Sequence, residues 1–355
     1  MEKKKTSTKS KTKRQTTKQK KKSTIILIAA LAIILAGVAL LLPLLTARAN
    51  SDGMLYVRSD MTKEQLTDTI ASHFGKDIAS KVELLTAVRD IKPKYRAGAY
   101  TVDKGMNAIS LWRKLSSKAQ TPVKFTFNNT RTVEEFAEKA SHQLEMKKED
   151  LLKLLTDSTT CQQLGFNTTT IAAMCIPDTY EVYWAIEPLD LLQKLSRDYN
   201  RFWNDARVSK AQKLGLTKVE VSTLASIVDS ETAYKPEKGT IARLYLNRLN
   251  AGMKLQSDPT AKFAVGDFSI KRITLEHIKT QSPYNTYYVN GLPPGPICMP
   301  EKATIDAVLN APDNDYIYMC AKEDLSGSHN FTASYAEHQQ NARRYQLELN
   351  RRGIE

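Results

Sequence analysis

A glutamate that continues an apolar helix face is the residue in this sequence best suited to acid–base chemistry. Residues 218–233 are predicted to form a helix, and at about 3.6 residues per turn Glu231 falls on one apolar side of it. The other members of that side are Leu224, Ile227 and Val228. A carboxyl group there is desolvated, which raises its pKa and keeps it protonated near neutral pH as a general acid. The alternative is a structural glutamate, paired with an arginine or capping a turn. Asp229 points away from this side and is expected to be solvated.

Three loops downstream of this helix are rich in proline, in polar residues and, in part, in tyrosine. They comprise residues 256–260, 282–287 and 290–296. Prolines stiffen such loops, and tyrosine faces together with amide side chains suit a carbohydrate ligand. The alternative for each single loop is that these residues only form turns and bind no ligand.

At these residues the sequence resembles the endolytic murein transglycosylases of the YceG-like (MltG) type. The matching blocks occur in order at 224–233, 246–249, 252–260, 284–287, 291–297 and His329-x-Phe331 with His338. Residues 177–180 also resemble a family motif. Two positions depart from the family pattern, because Asp229 stands where glutamate is common and Ser257 where threonine is common.

The resemblance implies cleavage of the β-1,4 bond between N-acetylmuramic acid and N-acetylglucosamine in nascent glycan strands, which leaves a 1,6-anhydromuramyl end. Glu231 matches the catalytic glutamate of the family and would act as general acid and then as general base. The muramic acid 6-hydroxyl is already tethered, so proximity replaces the second carboxylate that hydrolases use. The residues expected to bind the sugar or support Glu231 are Gln256, Asp258, Tyr284, Asn285, Thr286, Tyr287, Pro293 and His329.

Two other functions stay open at this point. Asp258 acting as a second acid would favour a muramidase-type hydrolase on the same scaffold. A chain without catalysis would be a wall-binding or division scaffold. His329 and His338 could be metal ligands, but the sequence shows no motif that supplies a third ligand. The cysteines also lack the spacing of zinc ligands. We therefore expect neither a metal nor a cofactor. The cysteines, whose pairing the sequence leaves undecided, are Cys161, Cys175, Cys298 and Cys320.

The N-terminal segment combines a basic tail with an apolar stretch. Residues 1–22 hold eleven of the 52 Lys and Arg residues and one acidic residue, so +10 of the formal charge of +14 lies in the tail and +4 elsewhere. The composition of the tail predicts disorder. Ile25 to Leu45 contains no charged side chain and is long enough to cross a bilayer core of about 30 Å. A cleaved signal peptide, with Ala47-Arg48-Ala49 as the cleavage site, is the alternative to an uncleaved anchor.

This charge distribution predicts a single-pass protein of the cell (inner) membrane with a cytoplasmic N-terminus and a periplasmic or otherwise extracytoplasmic catalytic domain. The location argues against nucleic acid as a partner. The expected partners are peptidoglycan glycan strands, the membrane through Ile25 to Leu45 and, beside the proposed reaction, peptidoglycan synthases.

The helices and strands expected from the sequence predict an α+β fold, which has three parts beyond the tail. These are a single transmembrane helix, a small α+β unit that resembles the LysM-like subdomain of the family, and a mixed α/β catalytic domain of helices and short strands. Capping boxes that begin at Thr132, Thr217 and Ser334 predict helix starts. The expected divisions are 1–22 for the tail, 23–47 for the transmembrane helix, 48–130 for the LysM-like unit, 131–215 for a connecting region and 216–355 for the catalytic domain.

Overall fold

The computed structural model of the chain describes residues 5–86, 90–270 and 272–353. The chain divides into two compact units, of which the first ends at Pro122 and the second begins at Val123. Each unit has its own cluster of buried hydrophobic residues. Together they make a mixed α+β protein, as the sequence predicts.

Helix α1 (Lys5–Thr46) contains both the basic tail and the apolar stretch. Its segment Lys21–Thr46 contains an 18-residue stretch with a mean hydropathy of 3.2 and is long and apolar enough to cross a membrane. From Lys5 onward the basic tail is part of this helix, and the disorder expected for residues 1–22 stays a prediction. Lysine is a good helix former, and extending an existing helix avoids the cost of nucleation. Residues 1–4 lie outside the described part of the chain.

The first unit continues with a two-stranded antiparallel sheet covered by helices. Its elements are β1 (Gly53–Val57), α2 (Lys63–Phe74), α3 (Lys76–Thr86), α4 (Pro93–Arg96), β2 (Gly98–Val102) and α5 (Ala108–Ser116). Strand β1 pairs with β2 so that Gly53 faces Val102 and Val57 faces Gly98. Alternate residues of the strands, among them Leu55 and Tyr100, are buried against the helices. The likeness of this unit to a LysM subdomain stays a prediction.

The second unit begins with a strand that the sequence assigns to the first. Its first half contains β3 (Val123–Phe127), α6 (Val133–Gln143), α7 (Lys148–Thr156), α8 (Ser158–Gln163), a 3-10 turn (Ile171–Met174), β4 (Asp178–Val182), α9 (Pro188–Phe202) and α10 (Asp205–Lys213). Strand β3 pairs antiparallel with β4, and the Phe127 ring stacks on Tyr180 with the centroids 5.8 Å apart. The division therefore lies at residue 122 and not at 130, because the partner of β3 comes later in the chain.

The second half of this unit supplies most of the predicted site residues. Its elements are α11 (Lys218–Glu231), a 3-10 turn (Lys235–Glu237), α12 (Lys238–Asn250), α13 (Asp258–Val265), α14 (Leu275–Ile278), α15 (Lys302–Leu309), β5 (Tyr318–Ala321), β6 (His329–Thr332) and α16 (Tyr335–Arg351). Strands β5 and β6 form an antiparallel hairpin, with Tyr318 facing Thr332. A single hydrophobic cluster joins both halves, so residues 131–215 are part of this core and not a separate connecting region.

Helix α11 is the central element of the second unit. Thr217 and Glu220 form the predicted capping box at its start. All eight residues from Val221 to Val228 are buried, including the polar ones. The hydroxyl of Ser222 donates to Lys218 O at 3.0 Å, which shows how a polar side chain is accommodated inside the core. The middle of the helix is therefore buried on all sides, and Glu231 is its last residue.

Candidate active site

The Glu231 carboxyl group receives two hydrogen bonds from neighbouring hydroxyl groups. The Tyr245 hydroxyl donates to Oε1 at 2.5 Å, and Ser257 Oγ donates to the same oxygen at 2.5 Å. Tyr245 comes from the middle of α12 and is 1% exposed, while Ser257 lies directly before α13 and is also 1% exposed. Two separate elements thus hold the carboxyl group at the end of α11.

Burial raises the pKa of Glu231 above its ordinary value. The hydrogen bonds from Ser257 and Tyr245 and the nearby His329 act in the opposite direction, and the charge of Asp258 adds to the increase. The position at the carboxyl end of a helix also disfavours a negative charge, because the helix dipole is negative there. Glu231 is therefore suited to carry a proton that it can donate.

Two cavities of the second unit meet at Glu231. The larger has a volume of 1030 Å³ and the smaller one of 500 Å³. Both are lined by Glu231 and by Asp258. The acid thus lies where a bound chain molecule can extend to either side of it.

Asp258 and Gln256 flank Ser257 and face these cavities. Asp258 Oδ1 accepts a hydrogen bond of 2.6 Å from the Tyr287 hydroxyl, and burial together with this bond raises the pKa of Tyr287. Gln256 lines the smaller cavity, and its Oε1 accepts from Arg248 at 2.5 Å. Its backbone is left-handed, with φ of 54°, which is uncommon outside glycine and marks a constrained position.

Asn285 and Thr286 are placed near the site but face the interior of the loops. Both are fully buried. Asn285 Nδ2 donates to the carbonyl groups of Ile278 and Thr280 at 3.0 and 2.8 Å. Thr286 Oγ1 accepts from the Ser257 backbone N–H at 3.0 Å. These hydrogen bonds hold together the loop that presents Ser257.

Tyr284 and Pro293 are also support residues in the structure. The Tyr284 ring packs against Phe263, with the centroids 4.8 Å apart. Pro293 is buried and is not among the residues that line the two cavities. In the same loop, a Cβ atom on Gly295 would lie 2.0 Å from the Thr169 carbonyl oxygen, so glycine is required there.

His329 reaches the smaller cavity from strand β6. Its Nδ1 lies 3.0 Å from Glu237 Oε2, and its backbone N–H donates to the same carboxylate at 3.0 and 3.1 Å. Glu237 thereby fixes the orientation of the imidazole ring. His338 lines the same cavity with its ring stacked on Tyr318 at 5.2 Å.

The expectation that Asp229 is solvated is wrong. Its side chain is 1% exposed and forms an ion pair with Lys238, which is itself buried. The Glu301 backbone N–H donates to Oδ2 at 2.8 Å, and the Thr304 hydroxyl donates to Oδ1. Helices α12 and α15 cover this side of α11, which the periodicity of one helix alone does not reveal. Asp229 is a structural residue that fastens three helices together.

Sequence reasoning missed Tyr245 as a site residue and noted Ser257 only as a departure from a family pattern. A signal for Tyr245 is its place between Leu244 and Leu246 in α12, since a tyrosine buried in an apolar stretch needs a partner for its hydroxyl group. The four cysteines, which the sequence left open, are all free thiols in the structure.

The chain is similar to known proteins over most of its length. A relative from Bacillus subtilis (strain 168) named endolytic murein transglycosylase is 27% identical over 267 residues, which are 71% of this chain and 73% of that protein. A Streptococcus pneumoniae serotype 2 protein of the same name is 33% identical over 117 residues, 32% of this chain and 21% of that protein.

The fold is also similar to a solved structure, and a family model matches the sequence. The crystal structure of a YceG-like protein from Listeria monocytogenes superposes with a TM-score of 0.55 at 21% identity, covering 82% of this chain and 98% of that one. The model of the YceG-like family matches residues 55–344. The match spans both units, and the chain belongs to the YceG-like family.

Proposed function

We propose that this protein is a lytic transglycosylase that cuts the glycan strands of peptidoglycan between N-acetylmuramic acid and N-acetylglucosamine. The relatives named endolytic murein transglycosylase support the substrate and the type of reaction. The observation that carries the proposal is the Glu231 carboxyl group, with its raised pKa and two hydroxyl donors, at the place where two cavities meet.

In the proposed reaction Glu231 acts twice. As an acid it protonates the glycosidic oxygen while the bond from that oxygen to the muramic acid anomeric carbon breaks. The 6-hydroxyl of the same sugar then attacks this carbon, and its proton passes to the Glu231 carboxylate. Atoms balance without water, and Glu231 ends protonated. Because Tyr245 and Ser257 both bond to Oε1, we assign the proton transfer to Oε2.

The two cavities support cleavage within a strand. Glycan on the side of the leaving sugar and glycan on the side of the muramic acid each need space next to the acid. Both cavities are within or near the range of about 300–1,000 Å³ that is usual for ligand sites. A strand passing through both would place an internal bond at Glu231.

Glu231→Gln tests the assignment of the acid. The amide keeps the shape of the side chain and has no proton to donate, so we expect glycan cleavage to fall by about 10²–10⁴-fold. Glu181→Gln, on the exposed face of strand β4, is the control and should cleave like the wild type. Cleavage retained by Glu231→Gln would refute the assignment. Full complementation of a deletion by that variant would favour the alternative of a non-catalytic wall-binding or division scaffold.

A muramidase-type hydrolase is the second candidate function. Asp258 favours it, since this carboxylate lines both cavities together with Glu231 and could activate a water molecule. The two reactions leave different ends on the glycan, an anhydro end after transglycosylation and a reducing end after hydrolysis.

We further propose that α1 is an uncleaved anchor in the cell membrane, with the basic tail on the cytoplasmic side and residues 47–355 outside. The apolar segment Lys21–Thr46 and the excess of lysine before it support this orientation. Nascent strands and the synthases that make them would then be within reach, and cleavage would terminate or trim strands. The intact mass of the mature chain tests the anchor, because removal of a signal peptide would eliminate α1. Protease added to spheroplasts should digest the units and spare the tail.

A further inference from the structure

One buried cation beside the candidate active site has no charged partner in the part of the chain that the structure describes. Arg248, in helix α12, is 9% exposed. Among the described residues, its guanidinium group forms one hydrogen bond, from a terminal nitrogen to Gln256 Oε1 at 2.5 Å. Its Nε atom is buried and has no partner. Among the described residues, no carboxylate forms an ion pair with this guanidinium group.

Other shielded cations of the same unit are compensated. The buried Lys238 pairs with Asp229, and Nε of the partly exposed Arg207 lies 2.7 Å from Asp306 Oδ1. Tyr245, Tyr287 and Tyr318 line the same cavity as Arg248. An unpaired charge in the interior is costly, and folds usually remove it or pair it. A charge that is retained without a partner indicates a partner from outside the fold.

The position of Arg248 shows where that partner would bind. The guanidinium group lines the smaller cavity of 500 Å³, whose wall also contains Glu231. Several other titratable side chains line this cavity. Asp258 is engaged by the Tyr287 hydroxyl, and His329 is engaged by the Glu237 carboxylate, with 3.0 Å between Nδ1 and Oε2. Burial together with the charge of Arg248 lowers the pKa of His338, which favours the neutral ring. Arg248 is therefore the cation available to a ligand on this side of the acid.

We propose that Arg248 binds a carboxylate of the substrate in the smaller cavity and so helps to set which sugar unit lies at Glu231. This inference rests on the proposed function, because it takes the ligand to be peptidoglycan. A guanidinium group recognises a carboxylate through two parallel N–H donors, and a neutral polysaccharide offers no such group. Two parts of the polymer carry the carboxylate, the stem peptide and, where the peptide has been removed, the lactyl group of muramic acid.

Binding to a catalytically silent protein tests the inference separately from the proposed reaction. The full chain carrying Glu231→Gln, in detergent, is titrated with glycan strands that bear stem peptides and with the same strands after their carboxylates are converted to methylamides. We expect the unmodified strands to bind roughly ten- to hundredfold more tightly. Strands stripped by an amidase, which expose lactyl carboxylates, identify the source of the group, and neutral chitooligosaccharides give the baseline.

Variants of Arg248 complete the test. Adding Arg248→Met to Glu231→Gln should reduce the affinity ratio between unmodified and amidated strands to about one, whereas Arg201→Met on the exposed side of α9 should leave the ratio unchanged. If Arg248→Met does not fold, Arg248→Lys decides, since it keeps the charge and loses the fork, and the ratio should fall but stay above one.

A ratio near one for Glu231→Gln itself, a ratio that Arg248 variants do not change, or no binding of carboxylate-bearing strands would each overturn the inference. A preserved ratio in a protein whose wild type fails to cleave glycan would leave the inference standing and refute only the proposed function.

Discussion

Removing the Tyr245 hydroxyl group should move the pH dependence of the reaction upward. The hydroxyl donates to Glu231 Oε1 at 2.5 Å and stabilises the ionised carboxylate. A hydrogen bond to a charged group contributes about 1.5–3 kcal/mol, and one pKa unit corresponds to about 1.4 kcal/mol. Tyr245→Phe should therefore raise the pKa of Glu231 by about one to two units. The lower value is favoured because Ser257 still donates to the same oxygen.

The measurement is kcat/KM for glycan cleavage as a function of pH, whose alkaline limb reports loss of the proton from the general acid of the free enzyme. In Tyr245→Phe this limb should lie about one to two pH units higher than in the wild type. Tyr199→Phe is a matched control, because Tyr199 is buried and its hydroxyl group has no hydrogen-bond partner. An unmoved limb, or a limb displaced to lower pH, would refute the view that this hydroxyl stabilises the carboxylate of the acid.

Three further changes test the stability of the site. Burial raises the folded-state pKa of Glu231 above the ordinary 4.5. The stability that the protonated carboxyl group contributes is therefore lost as the pH rises from 4.5 through the folded-state pKa. Glu231→Gln should melt at a higher temperature than the wild type at neutral pH and lose that advantage below pH 4.5. Asp229→Asn removes the buried counter-charge of Lys238 and leaves it only Glu301 Oε2, 3.8 Å away, so it should cost about 3 kcal/mol in urea unfolding. Adding Lys238→Met should restore part of the loss, and no loss in Asp229→Asn would contradict the structural role of the pair. Gly295→Ala places a Cβ atom 2.0 Å from a backbone oxygen and should lower the free energy of unfolding by more than about 3 kcal/mol. Gly291→Ala, at φ of 83° in open space, should lower it by about 1–2 kcal/mol. Equal melting temperatures of the two variants would contradict this difference.

The local features of the fold are predictable from the sequence because they depend on neighbouring residues. The capping box at Thr217 and the helix after it are found as predicted. The partner of strand β3 is not predictable in this way, since its pattern of alternating residues does not specify which strand pairs with it, and β4 lies fifty residues further on. The error in the division between the units has this cause.

The site shows the same contrast. Helical periodicity places Glu231 on an apolar side of its own helix, but it leaves a structural glutamate open, and the catalytic role stays a proposal. Asp229 is misassigned because its environment is made by Lys238 and Thr304, which come from other helices. Tyr245 and Ser257 reach Glu231 from two different elements, and no spacing in the sequence encodes that convergence. Packing between elements therefore decides the residues that support the acid.

The mass of the glycan ends produced by the full-length protein tests the central claim most directly. If Glu231 alone serves as acid and base and the muramic acid 6-hydroxyl is the nucleophile, the wild type should release fragments whose new ends are lighter than reducing ends by one water molecule, and Glu231→Gln should release none. Reducing ends in the products of the wild type would contradict the single-carboxylate mechanism and favour hydrolysis assisted by Asp258.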